Sequence, residues 1–203
     1  MKRPLISAFA ALFLFPAAIS AFAAPAQDLG YCTTCHGAQG NGNNAIRAPK
    51  LAGMAAWYVA NQLAAFRAGW RGSEDGDLAG REMQRVALAL PNEAAVAQAA
   101  LQPRTFVVRH VATTVQGDAD RGARLYAACA TCHGAAGEGS ATLQAPSLHG
   151  QSDWYLVTQL QHFRDGMRGA HPDDARGAQM RALVATLPDD RAINDVVAYI
   201  SSL

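Results

Sequence analysis

The chain has no cysteine to spare. Its 203 residues contain four, and all four belong to two copies of one pentapeptide, Cys32-Thr-Thr-Cys-His36 and Cys129-Ala-Thr-Cys-His133. None is left over for a structural disulfide. A basic surplus is also missing: 17 Lys and Arg stand against 16 Asp and Glu, which excludes the cationic surface a nucleic-acid partner demands. Long apolar runs are absent apart from the stretch from Leu5 to Ile19, which is short for crossing a bilayer. No alternating apolar–polar pattern competes with the helical periods, so the sequence reads as all-α.

That apolar stretch follows Lys2 and Arg3 and ends at Ala21-Phe22-Ala23. A positive start, an apolar middle and small residues at the end make a secretory signal peptide over residues 1–23. The mature chain is expected to begin at Ala24, after export. Removing two basic residues leaves 17 − 2 = 15 against 16 acidic ones, a formal charge of −1.

In an oxidising compartment, paired cysteines ordinarily mean disulfides. Here each pair is fused to a histidine. Two thiols three residues apart on one helical turn can form thioethers with the vinyl groups of a haem, and the adjoining histidine then ligates the iron. Zinc is the rival for Cys-x-x-Cys, but it needs both pairs on one ion or two further ligands for each pair. The expected cofactors are therefore two covalently bound haem c groups, attached at Cys32 and Cys35 and at Cys129 and Cys132. His36 and His133 are the proximal iron ligands.

Sliding the chain by 97 positions (129 − 32) superimposes it on itself without a gap, with 27 identities between residues 32–101 and 129–198. Pro49 falls on Pro146, Trp57 on Trp154, Gln62 on Gln159, Arg67 on Arg164 and Arg71 on Arg168. This is an internal duplication. The units are placed at residues 24–102 and 117–203, joined by a linker at 103–116 that lacks a helical period and reads as an extended strap. Each unit is small for a self-sufficient core, and a buried haem would supply the missing apolar centre.

In the second unit Asp118 or Asp120 can cap a helix leading into the haem motif, and Asp153 can cap one over 154–165. A third helix carries Met180 and stops before Pro188. A fourth places Ile193, Val196, Val197 and Ile200 on one face. The first unit has less before its motif, and its last helix is mostly alanine. The packing of its terminal helices should therefore be thinner.

Of five methionines, only Met83 and Met180 stand 97 apart, each 47 residues beyond its haem histidine (83 − 36 and 180 − 133). They are the expected sixth ligands. A soft thioether favours the ferrous state and leaves no open position on the iron. Of the other histidines, His149 and His162 are expected to flank the second haem pocket without ligating.

Each unit resembles a class I c-type cytochrome, and the tandem pair resembles the dihaem cytochrome c4 family of bacterial periplasms. The resemblance rests on the two haem motifs, Pro49-Lys-Leu and Pro146-Ser-Leu, the segment Gly150-Gln-Ser-Asp-Trp-Tyr-Leu with Gln159 to Gly169, and the methionine segments. It implies that Pro49 and Pro146 offer carbonyls to the haem histidines. It also implies that Trp57, Trp154, Arg67 and Arg164 face the haem edges or propionates. The function so implied is electron carriage between respiratory donors and a terminal oxidase or reductase, with redox proteins as partners and membranes met only through them. The chain is read as a carrier, not an enzyme. The alternatives are a dihaem peroxidase or thiosulfate-oxidising enzyme, or an electron-transfer subunit of a larger dehydrogenase or oxidase complex.

Overall fold

The computed structural model describes residues 30–203, so the leader read at residues 1–23 lies outside the described residues. Eight α-helices fall into two sets of four among the described residues. The first set is α1 (Gly30–His36), α2 (Ala56–Arg67), α3 (Leu78–Leu88) and α4 (Glu93–Leu101). The second is α5 (Ala119–His133), α6 (Asp153–Arg164), α7 (Ala175–Val184) and α8 (Asp190–Ser202). The duplication is visible in the backbone as well as the sequence. Isolated bridges join Asn43 to Ala48 and Ser140 to Ala145, 97 positions apart. Arg47 and Gln144, the left-handed non-glycine residues of the described chain, are another matched pair.

Local chemistry explains the helix starts. The carboxylates of Asp77 and Asp174 accept from the backbone N–H of Gly80 and Gly177, and cap α3 and α7. Asn92 and Asp189 cap α4 and α8 in the same way, and Asp118 caps α5. The turn before each methionine helix admits no side chain. A Cβ on Gly72 or Gly169 would lie 2.2 Å from the carbonyl oxygen of Gly80 or Gly177, and both glycines have φ above +70°.

Asp153 departs from the role read for it. Ser152 precedes α6, and Asp153 is its first residue. The Asp153 carboxylate turns to the strap, where it accepts from the backbone N–H of Thr114 and Val115 and from the Thr114 hydroxyl. The strap is anchored at its other end too. Phe106 lies under Gly40 and Val108 under Gly53, and Asn41 bonds the backbone of Val107 and Arg109.

The two cores are built from different helix contacts. In the second unit α5 packs across α8, and Tyr126, Ile193, Val196, Val197 and Ile200 are buried together. The backbones approach so closely at Gly122 that a Cβ there would sit 1.9 Å from the Asp195 oxygen. In the first unit α1 is a helix of 7 residues, and the alanine-rich α4 packs instead on α2. Its core is Val59, Leu63, Phe66, Leu90 and Val96, with alanines between them.

Two outcomes follow. Gly122→Ala should destabilise the second unit by about 1–3 kcal/mol, since overpacking falls on backbone rather than on a flexible side chain; denaturant melts of the holoprotein measure it. Asp153 is held below its ordinary value, because its hydrogen bonds from the strap outweigh the opposing effect of burial. A depressed carboxyl pKa gives stability that is complete above the unfolded value, about 3.9, and is lost as pH falls through the folded one. Amide exchange at Thr114 and Val115 should therefore accelerate below about pH 4, and Asp153→Asn should show fast exchange at neutral pH.

Candidate haem crevices and the seam between them

Helix α1 ends on His36 and α5 on His133, so both Cys-x-x-Cys-His motifs occupy a last helical turn. No disulfide joins any two of the four cysteines. His36 and His133 are buried. Each Nδ1–H donates to a proline carbonyl 13 residues on, Pro49 at 2.7 Å and Pro146 at 2.8 Å. That bond fixes the tautomer and leaves Nε2 as the free lone pair. Burial lowers both histidine pKa values, against the opposing proline bond, so the rings are neutral and ready to ligate at neutral pH.

In the first unit a cavity of about 350 Å³ opens in front of this histidine. Cys32, Cys35 and His36 line it with Met83, and Leu51, Val59, Leu63, Phe66 and Leu90 make it apolar. Part of its wall comes from the other unit: Trp154, Tyr155, Thr158, Gln159 and His162 of α6 all face into it. A haem fits these residues: two thiols, an imidazole and a thioether line one largely apolar cavity.

The seam that closes the crevice is built about a pseudo-two-fold axis. Gln62 Oε1 accepts from Arg71 Nη1 at 2.7 Å and from Arg168 Nη2 at 3.0 Å. Gln159 Oε1 accepts from Arg168 Nη1 at 2.7 Å and from Arg71 Nη2 at 3.0 Å. Each guanidinium also lies 4.3 Å over a phenylalanine ring, Phe66 or Phe163. Both arginines are buried, and burial followed by the Arg71 charge pushes Arg168 below its ordinary value. Among the described residues neither forms an ion pair, and Arg71 Nε has no hydrogen-bond partner. Two buried cations with donor capacity to spare suit the carboxylates that a haem carries on its edge.

Several expectations are corrected here. Arg67 turns away from the crevice to donate to the carbonyls of Ala87 and Leu90. Arg164 pairs with Asp165 and Asp190 at the surface. Arg71 and Arg168 hold the buried seam instead. His162 lines the first unit's crevice. His149 lines a separate cleft of about 660 Å³ under the strap. Trp154 faces the haem cavity of the opposite unit, with Arg47 stacked 4.8 Å above it. Sequence reasoning also missed Lys50, whose buried Nζ donates to Arg109 O and Gly150 O, both at 2.8 Å. It joins first unit, strap and second unit at one atom. Its counterpart is Ser147, so the repeat gave no signal for it, whereas Gln62, Arg71 and their partners were identical pairs.

The cytochrome c family pattern matches residues 26–97 and again 119–203. The chain belongs to the cytochrome c family. Its two haem motifs and matched methionines make it a dihaem, cytochrome c4-like member with two covalent haem groups. It is 36% identical over 182 residues to a thiosulfate dehydrogenase electron acceptor of Stutzerimonas stutzeri, an alignment spanning 85% of this chain and 78% of that one. It is 30% identical over 183 residues to cytochrome c4 of Azotobacter vinelandii, spanning 85% and 84%. The reduced cytochrome c4 crystal structure from Pseudomonas stutzeri superimposes with a TM-score of 0.67 at 28% identity, covering 86% of this chain and 94% of that one. These relatives are electron-transfer cytochromes. Among the described residues no helix is long and apolar enough to cross a membrane.

The glutamine–arginine square is the element of this site most exposed to single changes. Gln62→Leu removes one acceptor from both guanidinium groups. It should cost at least about 2 kcal/mol, because the groups left unpaired are buried and charged. Unfolding of the holoprotein in denaturant measures the loss, and Gln159→Leu should match it by symmetry.

Proposed function

We propose that this protein is a periplasmic dihaem electron carrier that takes electrons from a respiratory donor and passes them to a terminal oxidase or reductase. Cys32 and Cys35, and Cys129 and Cys132, attach the haems; His36 with Met83 and His133 with Met180 are the axial ligands. The observation carrying this reading is the first crevice. Both motif cysteines, the imidazole of His36 and the thioether of Met83 line one largely apolar cavity, and the second unit contributes part of its wall. A haem held there would supply a one-electron ferric–ferrous couple.

The residues of the chain do the rest. Pro49 and Pro146 hold each imidazole in one tautomer. The methionine helices are fixed by their aspartate caps. Apolar side chains and the α6 wall exclude water, which limits solvent reorganisation when charge moves. Arg71 and Arg168 place positive charge between the two sites and offset the negative edge of each haem.

A second reading, that the donor is a thiosulfate-oxidising dehydrogenase, is supported by the alignment with the Stutzerimonas stutzeri electron acceptor. Stopped-flow reduction of the oxidised protein separates the donors. Thiosulfate dehydrogenase plus thiosulfate should reduce it at rates limited by encounter if this reading holds, and respiratory membranes should do so otherwise.

Ligation is tested on the protein alone. The mature mass should exceed the polypeptide by two haem groups. The weak long-wavelength band of methionine-ligated ferric haem should fall by about half in Met83→Ala and in Met180→Ala. Retention of the full band in both variants would refute the assignment.

A further inference from the structure

The seam breaks its own symmetry at His162. This residue stands on α6 of the second unit, and its counterpart 97 positions earlier is Ala65. Its ring forms part of the wall of the first unit's crevice. The side chain is largely buried, and Nδ1 lies 3.8 Å from Asp77 Oδ2, too far for a hydrogen bond. Nδ1 is shielded from solvent and has no hydrogen-bond partner. Asp77 is itself buried. Its other oxygen, Oδ1, caps α3 through Gly80 N–H at 2.8 Å, and α3 carries Met83. The second unit repeats the cap, with Asp174 on Gly177, but the first unit offers Ala65 where an imidazole would be needed. An ionisable imidazole is thus built into the wall of the first crevice, and its matched position in the first unit, Ala65, offers none to the second.

The groups facing His162 come from several elements. Asp77 from the start of α3 favours its charged form, and so does Asp165 just past its own helix. Burial is the largest influence and lowers its pKa; Arg168 and Arg71 from the two post-helix turns act in the same direction. Tyr155 on α6 is tied to Arg71, and Glu82 of α3 lines the same crevice. The net result holds the ring neutral at pH 7, poised to accept a proton if negative charge is added nearby.

We propose that His162 is a proton-linked tuning residue for the first unit's haem alone, binding a proton when that haem is reduced and releasing it on oxidation. The inference rests on the haem assignment made above for Cys32, Cys35, His36 and Met83. The balance is simple. One electron arrives from the redox donor, one proton comes from solvent to the imidazole, and the charge of the crevice is unchanged. Coupling is reciprocal: whatever factor reduction adds to the proton affinity of His162, protonation adds to the electron affinity of the haem. The first haem should therefore become a better acceptor as pH falls below the ordinary histidine range, while the second stays level.

The test is a redox titration of the holoprotein at several pH values from about 7 down to about 5. The haems are followed separately by the NMR signals of their ring methyls, assigned through Met83→Ala. Between those limits the first haem's electron-binding constant should rise, by up to about tenfold for one pKa unit of coupling, and the second's should not move. His162→Gln keeps the size of the side chain but cannot take the proton, and should flatten the first haem's response. Asp77→Asn keeps a capping oxygen and should shift the response to lower pH without abolishing it. A response unchanged in His162→Gln, one shared equally by both haems, or none in the parent protein would each overturn the proposal. Loss of the methionine-ligation band in the parent protein would instead overturn the haem assignment, so the two failures are distinguishable.

Discussion

Closing the cofactor crevice is the constraint on which the rest of this structure depends. A unit of four short helices cannot bury enough apolar surface alone, and a slot wide enough for a flat macrocycle is a hole in what core it has. The first unit solves this with its neighbour. Leu51, Val59, Leu63, Phe66 and Leu90 line one part of the slot, and α6 of the second unit supplies Trp154, Tyr155 and Gln159 as another wall. The price of that arrangement is that the seam must accept polar and charged groups in a dry place.

The glutamine–arginine square meets that demand. Two guanidinium groups repel each other, and burial alone would make them very costly. Each is therefore given two amide oxygens and an aromatic face. Arg71 lines the first crevice and keeps its Nε without a hydrogen-bond partner. Around this symmetric centre the asymmetric ties, Lys50 to the strap and to Gly150, Arg47 to Thr158, and Trp70 stacked on His171, fix one relative orientation of the units. A pseudo-two-fold contact by itself would tolerate sliding; ties without counterparts make the register unique.

Much of this was legible in the sequence because duplication acts as an internal control. Residues identical across 97 positions had to serve both units, which singled out the haem motifs, the two prolines and the pair Met83 and Met180 from five methionines. The helices carrying them followed from caps and apolar stripes, and α8 buries Ile193, Val196, Val197 and Ile200 as its period required. The seam was not legible. Periodicity describes how a helix packs within its own unit and is silent about a face that meets another unit. Arg67 and Arg71 are both arginines near the end of α2, and no sequence rule tells which one folds back onto carbonyls and which enters the seam. Asp153 misled for a related reason. A helix-opening aspartate is usually a cap, but here the strap brings competing N–H groups within reach.

Duplication also explains why the informative residues of the seam are of two kinds. Matched residues such as Gln62 and Gln159 hold the units together and are indifferent to which haem lies on which side. Unmatched residues are the means by which two copies of one sequence can come to have different redox properties. Axial ligands and proline bonds are the same in both units, so they cannot separate the two sites. What differs is the surrounding wall: a thin alanine-rich α4 against a full α8, Lys50 against Ser147, and His162 against Ala65. Electron transfer from one haem to the other has a direction only if the two sites differ in free energy. In this chain that difference must arise from the residues that duplication left unpaired.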